Sequence, residues 1–237
     1  MIGVESVTKR YGNLVAVNDV SLSVAAGEVY SLVGANGAGK STLMRMLVGL
    51  AAPDAGRLLI CDEDLAHRLP TTKKHLGYLP EELLFYDQLT GEEYLQLVAG
   101  LKEADAAQIP QELEFFGIAF AARKLVGGYS LGMRKKLGLS AAMLGSPEVL
   151  ILDEPLNGLD VEMMRKLRRR IEDERNAGKA IMVSSHVMSF VERVSSRVGV
   201  IRLGKLVAEG TPQALRQQTG LLTTDFEDVF FHLAEVG

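Results

Sequence analysis

Two groups of residues in this 237-residue chain have the types and the spacing that phosphate chemistry requires. The first, Gly34-Ala35-Asn36-Gly37-Ala38-Gly39-Lys40-Ser41-Thr42, matches the pattern G-x-x-x-x-G-K-[ST]. Its glycines would let successive backbone N–H groups curl around phosphate oxygens, and a helix that follows would add the positive end of its dipole. Lys40 would reach the β- and γ-phosphates, and the Ser41 hydroxyl would bind Mg²⁺. The pattern predicts a nucleotide-binding loop.

The second group is a pair of acids, Asp153 and Glu154, directly after the apolar run from 149 to 152. At a strand end, Asp153 would hold Mg²⁺ through water, and Glu154 would orient or deprotonate the attacking water. Paired acids are weak evidence alone. Together with the loop they indicate that the nucleotide is hydrolysed.

The elements that must position these groups alternate between strand and helix. Short apolar runs at 29–33, 149–152, 181–183 and 198–201 favour buried parallel strands. Helical spacing follows the first three runs, at Leu43, Leu47 and Leu50, at Met164, Leu167 and Ile171, and at Val187, Phe190, Val191 and Val194. This alternation predicts an α/β fold with a parallel sheet.

Two regions depart from that alternation. The N-terminal third predicts antiparallel strands, with Val20, Leu22 and Val24 alternating with polar or small residues and a further strand at 57–61. Residues 82–145 carry helical patterns. We expect one domain made of a nucleotide-binding core with an antiparallel β-subdomain (1–81), a helical subdomain (82–145), a second core segment (146–210) and a C-terminal helical tail (211–237). Thr211 and Pro212 would begin a tail helix that Gly220 ends.

Composition excludes several classes of protein. The formal charge of −4 argues against a polybasic nucleic-acid or lipid-binding surface, and the single cysteine excludes a disulfide framework. No stretch reaches the roughly 18 apolar residues of a membrane helix, and residues 1–10 lack the apolar core of a signal peptide. We therefore expect a cytosolic protein that meets a membrane only through a partner.

Taken together, the motifs resemble those of the nucleotide-binding subunit of an ABC (ATP-binding cassette) transporter, over essentially the whole chain. The resemblance implies a P-loop NTPase core with a mostly parallel sheet, an N-terminal antiparallel β-subdomain and an inserted helical subdomain. It implies ATP and Mg²⁺ as cofactors. Tyr11, followed by Gly12, stands where the family stacks an aromatic ring on adenine, and Val17 belongs to the same implied binding set as Asn36 to Thr42.

The segment Ser184-Ser185-His186 is similar to the family's switch region, in which the histidine contacts the γ-phosphate. The resemblance thus makes Glu154, His186 and Lys40 the implied catalytic residues. Asn157-Gly158-Leu159-Asp160 resembles the loop that communicates across the family's dimer.

Tyr129-Ser130-Leu131-Gly132-Met133 resembles the family signature L-S-G-G-Q but departs from it at three of five positions. Ser130 and Gly132 remain, and in the family they touch the γ-phosphate bound to the opposite subunit. The branch with tyrosine first and methionine last, commonly Y-S-K-G-M, contains many two-component exporters.

Leu79-Pro80-Glu81 is similar to the family's Q-loop, where most relatives have glutamine. Glutamate keeps an oxygen for Mg²⁺ or water and adds a negative charge near the phosphates. The implied metal set is therefore Ser41, Glu81 and Asp153.

These resemblances imply an ATP-hydrolysing subunit that dimerises around two ATP molecules, with an identical or a second ABC subunit, and powers a separate transmembrane permease for export. It would act at the cytoplasmic face of the cell membrane. The alternative is a soluble ABC-type ATPase acting on ribosomes or nucleic acid. Those relatives usually join two cassettes or insert a long coiled coil, and this chain has neither feature.

Two further segments allow a simple structural explanation beside a functional one. The basic run at 165–170 could indicate nucleic-acid binding, but Glu172, Asp173 and Glu174 follow it. Because Arg168 stands four residues before Glu172, we expect a helix face with ion pairs that does not bind nucleic acid. The second segment consists of the apolar residues Leu83, Leu84, Phe85 and Tyr86. Its side chains either shelter a core or form a docking surface for a permease helix.

Overall fold

The computed structural model of the chain describes residues 1–67, 73–222 and 225–236. The strands are β1 (Ile2–Tyr11), β2 (Leu14–Val24), β3 (Val29–Val33), β4 (Ala55–Ile60), β5 (Glu63–Asp64), β6 (Leu76–Leu79), β7 (Val149–Leu152), β8 (Ala180–Ser184), β9 (Arg197–Arg202) and β10 (Lys205–Gly210). The α-helices are α1 (Lys40–Leu47), α2 (Gly91–Lys102), α3 (Ile109–Phe115), α4 (Leu131–Met143), α5 (Val161–Asn176), α6 (Met188–Val194), α7 (Pro212–Thr219) and α8 (Phe226–Val236). Single 3-10 turns lie at Lys73–His75, Ala106–Gln108, Ala119–Ala121 and Val126–Gly128.

The larger sheet has the strand order β10-β9-β3-β8-β7-β6, in which only the β9–β10 pair is antiparallel. All five residues of β3 are buried at its centre. The four predicted apolar runs are β3, β7, β8 and β9, so the predicted parallel α/β sheet is confirmed. Because the carboxyl ends of parallel strands meet at one edge, the residues that follow β3, β7 and β8 are brought together there.

The smaller sheet has the order β2-β1-β4-β5 and is antiparallel throughout, as predicted. In β2, Val20, Leu22 and Val24 are buried, whereas Ser21 and Ser23 face solvent. A tight turn joins β1 to β2 and places Tyr11 opposite Leu14 in the register. This hairpin end carries the predicted adenine-stacking tyrosine.

Helices α2, α3 and α4 fall inside the segment predicted to be helical. Thr90 and Glu93 form a reciprocal capping box at the start of α2. At its other end, the Lys102 ammonium donates to the carbonyls of Ala141, Ala142 and Leu144, at 3.0, 3.2 and 3.0 Å. These bonds satisfy carbonyls at the end of α4 that have no helical partner, and so they join α2 to α4.

The apolar segment at 83–86 alternates between the interior and the surface. Leu83 and Phe85 pack against the core, with the Phe85 ring edge-on to Tyr94 at a centroid distance of 4.9 Å. Leu84 and Tyr86 are 92% and 65% exposed. The sheltering explanation therefore applies to the first pair, and only the second pair is free to meet another molecule.

One predicted helix is shorter than expected. Leu50 was expected to continue the apolar face of the helix after the loop, but α1 ends at Leu47 and Leu50 is 65% exposed. Gly49 causes the stop, because its φ of 73° cannot continue a right-handed helix. The tail helix behaves as predicted, since Thr211 caps α7, Pro212 lies in its first turn and Gly220 ends it.

The basic face of α5 is ion-paired, as predicted. The Arg168 guanidinium lies 3.6 Å from the Glu172 carboxylate, and the Lys166 ammonium lies 3.2 Å from Glu162. Within the described ranges, none of the helices combines the length and the apolar character that crossing a membrane requires.

Candidate functional site

The predicted nucleotide-binding loop connects the buried end of β3 to α1. Gly37 and Gly39 have φ angles of 78° and 113°, in the region that favours glycine. A Cβ at Gly39 would lie 2.4 Å from the Ala16 carbonyl oxygen, so a side chain does not fit there. Gly39 is also the N-cap of α1 and offers no side chain to the first N–H groups of the helix. Those N–H groups are therefore suited to an anion.

The Lys40 side chain is drawn into the loop. It is 7% exposed, and its Nζ donates to the carbonyl oxygens of Gly34 at 2.7 Å and Ala35 at 3.1 Å. These two bonds hold the positive end of the side chain close to the loop. This charge is available to the phosphates of a nucleotide.

The paired acids lie at the edge where the parallel strands end. The Asp153 N–H donates to the Leu79 carbonyl at 2.8 Å, which fixes the end of β7 beside β6. The Ser184 hydroxyl, at the end of β8, donates to Asp153 Oδ1 and accepts from the Glu154 N–H at 2.9 Å. Glu154 has a φ of 47°, which is strained for a residue with a Cβ and is common at functional sites.

Glu154 and His186 are in direct contact. His186 Nδ1 lies 2.9 Å from Glu154 Oε2, and the histidine is 64% exposed whereas Glu154 is 6% exposed. The imidazole therefore covers the carboxylate from the solvent side. Because Lys40 and Glu154 line the same pocket, the structure brings the three predicted catalytic residues together.

One open pocket collects most of the predicted nucleotide-binding residues. It is lined by Tyr11, by the loop from 36 to 42 except Ala38, and by Glu81 and Glu154. Tyr11 is 51% exposed at the pocket rim. Ala38 is 5% exposed and donates its N–H to the Ala35 carbonyl at 3.1 Å, so it supports the loop from behind.

Val17 is a correction to the sequence analysis. Its side chain is fully buried in the core, and Ala16 lines the pocket instead. The register between β1 and β2 shifts between the pairs Lys9–Val17 and Arg10–Val15, so simple alternation does not assign the faces of these residues.

Leu14, Ala16 and Ser184 were missed by the sequence analysis. The signal for Leu14 is the Gly12-Asn13 turn, which pairs it with Tyr11 across the hairpin. The signal for Ser184 is the parallel register of β7 and β8, which aligns Leu152 with Val183 and hence Asp153 with Ser184.

Ser130 and Gly132 are not brought to this pocket within one chain. Ser130 is exposed and caps α4, with its hydroxyl accepting from the Met133 N–H at 3.3 Å. Leu131 is 72% exposed and packs beside Gly158. The Lys136 ammonium lies 3.6 Å from Asp160, the N-cap of α5. The signature segment and the 157–160 loop therefore form one surface.

The predicted metal set is made of oxygen donors. Ser41 Oγ lies 3.5 Å from Glu81 Oε2, and Asp153 is 1% exposed at the neighbouring strand end. Across the described part of the chain, no group of three or more His, Cys, Asp or Glu side chains could hold a metal ion by itself. This pattern fits Mg²⁺, which proteins bind with one or two carboxylates and which takes its remaining ligands from phosphates and water.

Comparison with known proteins agrees with this geometry. The family described as ABC transporter matches residues 17–157. The bacitracin transport ATP-binding protein BcrA of Enterococcus faecalis is 38% identical over 213 residues, which cover 88% of this chain and 68% of the relative. The Nod factor export ATP-binding protein I of Burkholderia orbicola (strain AU 1054) is 38% identical over 218 residues, covering 90% and 72%. A solved ATP-binding subunit of an ABC transporter superposes with a TM-score of 0.93 at 30% identity, over 98% of this chain and 99% of that one.

Proposed function

The chain belongs to the ABC transporter family as an ATP-binding subunit, and from this membership we propose how its own residues bind and hydrolyse ATP. One observation carries the proposal. The hydrogen-bonded series Asp153, Ser184, Glu154 and His186 lies at the edge of the sheet where the loop of Lys40 also ends. A hydrolytic base and a phosphate-binding loop are thereby held in one place by backbone geometry.

Each group in the pocket has a role in this proposal. The Tyr11 ring stacks on adenine, and Lys40 and the loop N–H groups bind the β- and γ-phosphates. Glu154 accepts the proton of the attacking water. His186, already in contact with Glu154, moves to the γ-phosphate when ATP enters. The side chains of Ser41, Glu81 and Asp153 would hold Mg²⁺, which would neutralise phosphate charge.

The exposed signature segment indicates that the site is completed by a second chain. Ser130 and Gly132 lie outside the pocket of their own chain, at the N-terminus of α4, where a helix dipole favours an anion. We propose that two copies, or this chain and a second ABC subunit, close around two ATP molecules. The γ-phosphate then joins the loop of one chain to the signature of the other.

Size-exclusion chromatography of Glu154→Gln tests this closure. The amide cannot accept the proton from water, so the variant should bind ATP, hydrolyse it slowly and elute as a dimer with ATP and Mg²⁺. Adding Ser130→Glu to it should restore the monomer, because a carboxylate would repel the γ-phosphate. A dimer that persists in the double variant would contradict the composite site.

The named relatives transport bacitracin or export Nod factor, and this favours a transport partner over the ribosome or nucleic acid. We propose that the chain acts at the cytoplasmic face of the cell membrane, bound to a separate permease that exports its substrate. The exposed side chains of Leu84 and Tyr86, beside the Glu81 loop, are the proposed contact with that permease.

Co-purification from native membranes tests the permease contact. Leu84→Asp with Tyr86→Asp should retain ATPase activity and lose the membrane protein that the wild type brings down. Phe231→Asp is the matched control, because Phe231 is 52% exposed on α8, which packs at the β9–β10 edge of the sheet, opposite β6. Equal recovery with both variants would remove the 84–86 segment from the contact.

A further inference from the structure

Lys135 is a buried cation that the roles above do not use. It lies in the second turn of α4 and is 2% exposed. Its Nζ has no hydrogen-bond partner among the described residues. A buried ammonium without such a partner costs stability, so its presence calls for a compensating interaction or a function.

The packing of α4 places Lys135 beside the acids of the pocket. Gly138 lies one turn after Lys135 on the same helix face, and a Cβ there would come within 2.9 Å of the Leu79 side chain and 2.8 Å of Leu83. These two residues flank Glu81 in the sequence. The Leu79 carbonyl also accepts the Asp153 N–H. The face of α4 that carries Lys135 therefore covers the edge where β6 and β7 end.

The charges at this edge are unbalanced without Lys135. Glu81, Asp153 and Glu154 bring three carboxylates to it, and the Lys40 ammonium is bonded to loop carbonyls rather than to an acid. Burial lowers the pKa of Lys135, while the charges of Asp153, Glu154 and Glu81 act in the opposite direction and favour its charged form. The attraction thus compensates part of the burial cost.

We propose that Lys135 is a positioning residue. It keeps the catalytic acids Asp153 and Glu154, together with Glu81, in a fixed position relative to helix α4. Ser130 caps the same helix, five residues or about 7.5 Å earlier along its axis. Lys135 therefore connects the acids of its own pocket to the segment that reaches the partner's ATP. This inference rests on the proposed function, and it adds a coupling residue between the two sites.

The test compares Lys135→Met, which keeps the length of the side chain without its charge, with Lys166→Met on the surface of α5. For nucleotide-free Lys135→Met, we expect the thermal midpoint to hold or to rise by a few degrees, because an unpartnered buried charge is removed. Its kcat should fall roughly tenfold or more, while ATP affinity changes less than about threefold, because Tyr11 and the loop are intact. Lys166→Met should change none of these quantities.

Titration of Mg²⁺ in the presence of a non-hydrolysable ATP analogue gives a second readout. Without Lys135 the acids lose a competing positive charge, so the half-saturating Mg²⁺ concentration should fall several-fold. Adding Glu81→Gln to Lys135→Met should return the half-saturating Mg²⁺ concentration toward the wild-type value.

Two results would overturn the proposal. A lower thermal midpoint with wild-type kcat would show that Lys135 stabilises the fold without acting on the acids. An unchanged kcat with an unchanged Mg²⁺ midpoint would show that its charge does not act on the acids. These outcomes are distinct from failure of the dimer itself, which Glu154→Gln reports independently.

Discussion

The acids of the pocket and the hydroxyl of the signature segment are held in different ways. Asp153 and Glu154 are nearly inaccessible at the end of β7. Ser184 at the end of β8 bonds to both of them, and His186 contacts Glu154, so hydrogen bonds connect two neighbouring strand ends. Ser130 is exposed, and among the described residues its hydroxyl bonds to the first turn of its own helix. The pocket is therefore preorganised within one chain, whereas the signature segment is accessible for the contact with a second chain that we propose.

This difference matches what each part has to do. Proton transfer requires a base held within a fraction of an ångström, and hydrogen bonds from neighbouring strands provide that rigidity. A contact that forms with ATP and breaks after hydrolysis has to be weak and accessible in the free chain. Variants of the two parts should consequently differ in kind as well as in size.

The largest effect is expected for the turnover of Glu154→Gln. Loss of a general base costs about 10² to 10⁴ in rate, whereas the ATP dissociation constant should change little because the loop is untouched. Steady-state hydrolysis and equilibrium binding of ATP measure the two quantities. Asp173→Asn, at an exposed position of α5, is the control. Wild-type turnover in Glu154→Gln would remove the carboxylate from its assigned role.

Mixing two inactive variants tests whether the pocket and the signature segment that form one site belong to different chains. Lys40→Ala disables the pocket and Ser130→Glu disables the signature, so each alone should be nearly inactive. Random pairing makes half of the dimers mixed, each with one intact composite site, and activity should recover to about a quarter of wild type. Absence of recovery at any mixing ratio would mean that each chain carries a complete site.

Tyr11→Ala should act on binding rather than on chemistry. Base stacking on an aromatic ring is worth roughly 1–3 kcal/mol, or about five- to a hundred-fold in affinity. Because the ring is remote from the γ-phosphate, saturated turnover should change less. Tyr11→Phe keeps the ring and should retain affinity. An unchanged dissociation constant for Tyr11→Ala would show that the ring does not contribute to ATP binding.

A smaller effect is expected for Glu81→Gln, which replaces one oxygen donor by another. Activity should stay within about tenfold of wild type, because the amide oxygen can still face the metal. Glu81→Ala removes that oxygen and should lose more. Titrating Mg²⁺ against hydrolysis rate compares the two variants. Equal losses would show that the position needs the charge and not merely an oxygen.

The sequence predicted the pocket half of the molecule better than its surroundings. The loop pattern and the four apolar runs place Lys40, Asp153 and Glu154 at one sheet edge, since the ends of parallel strands must meet there. Val17 was wrongly assigned to the pocket. Which side chains of residues 14–17 face the pocket depends on the register of the strand, and the local sequence pattern does not give that register. Lys135 was missed because a lysine on a helix ordinarily points to solvent, and its burial depends on how α4 packs against β6.

The smallest effect is expected for the stability of the fold, through the ion pairs that connect the helical segment to the core. The Arg170 guanidinium donates to Glu112 on α3 at 2.7 Å and to Glu174 at 2.5 Å, and the Lys179 ammonium also contacts Glu174. Burial alone would raise the pKa of Glu174, but the hydrogen bonds from Lys179 and Arg170 outweigh it and hold the pKa below its usual range. Glu174 thus stabilises the fold only while it is ionised.

A depressed pKa in the folded state means that this stabilisation is complete above the unfolded value, near 4.5, and is lost as the pH falls through the folded value. Glu174→Gln should therefore lower the free energy of unfolding by about 1–3 kcal/mol at pH 7. Its deficit relative to wild type should shrink below pH 4.5, where wild-type Glu174 also loses its charge. Urea unfolding at several pH values measures this gap, with Asp173→Asn as the exposed control on the same helix. A difference in unfolding free energy that stays constant with pH would show that Glu174 stabilises the fold through packing. The contact between the helical segment and the core would then not depend on charge.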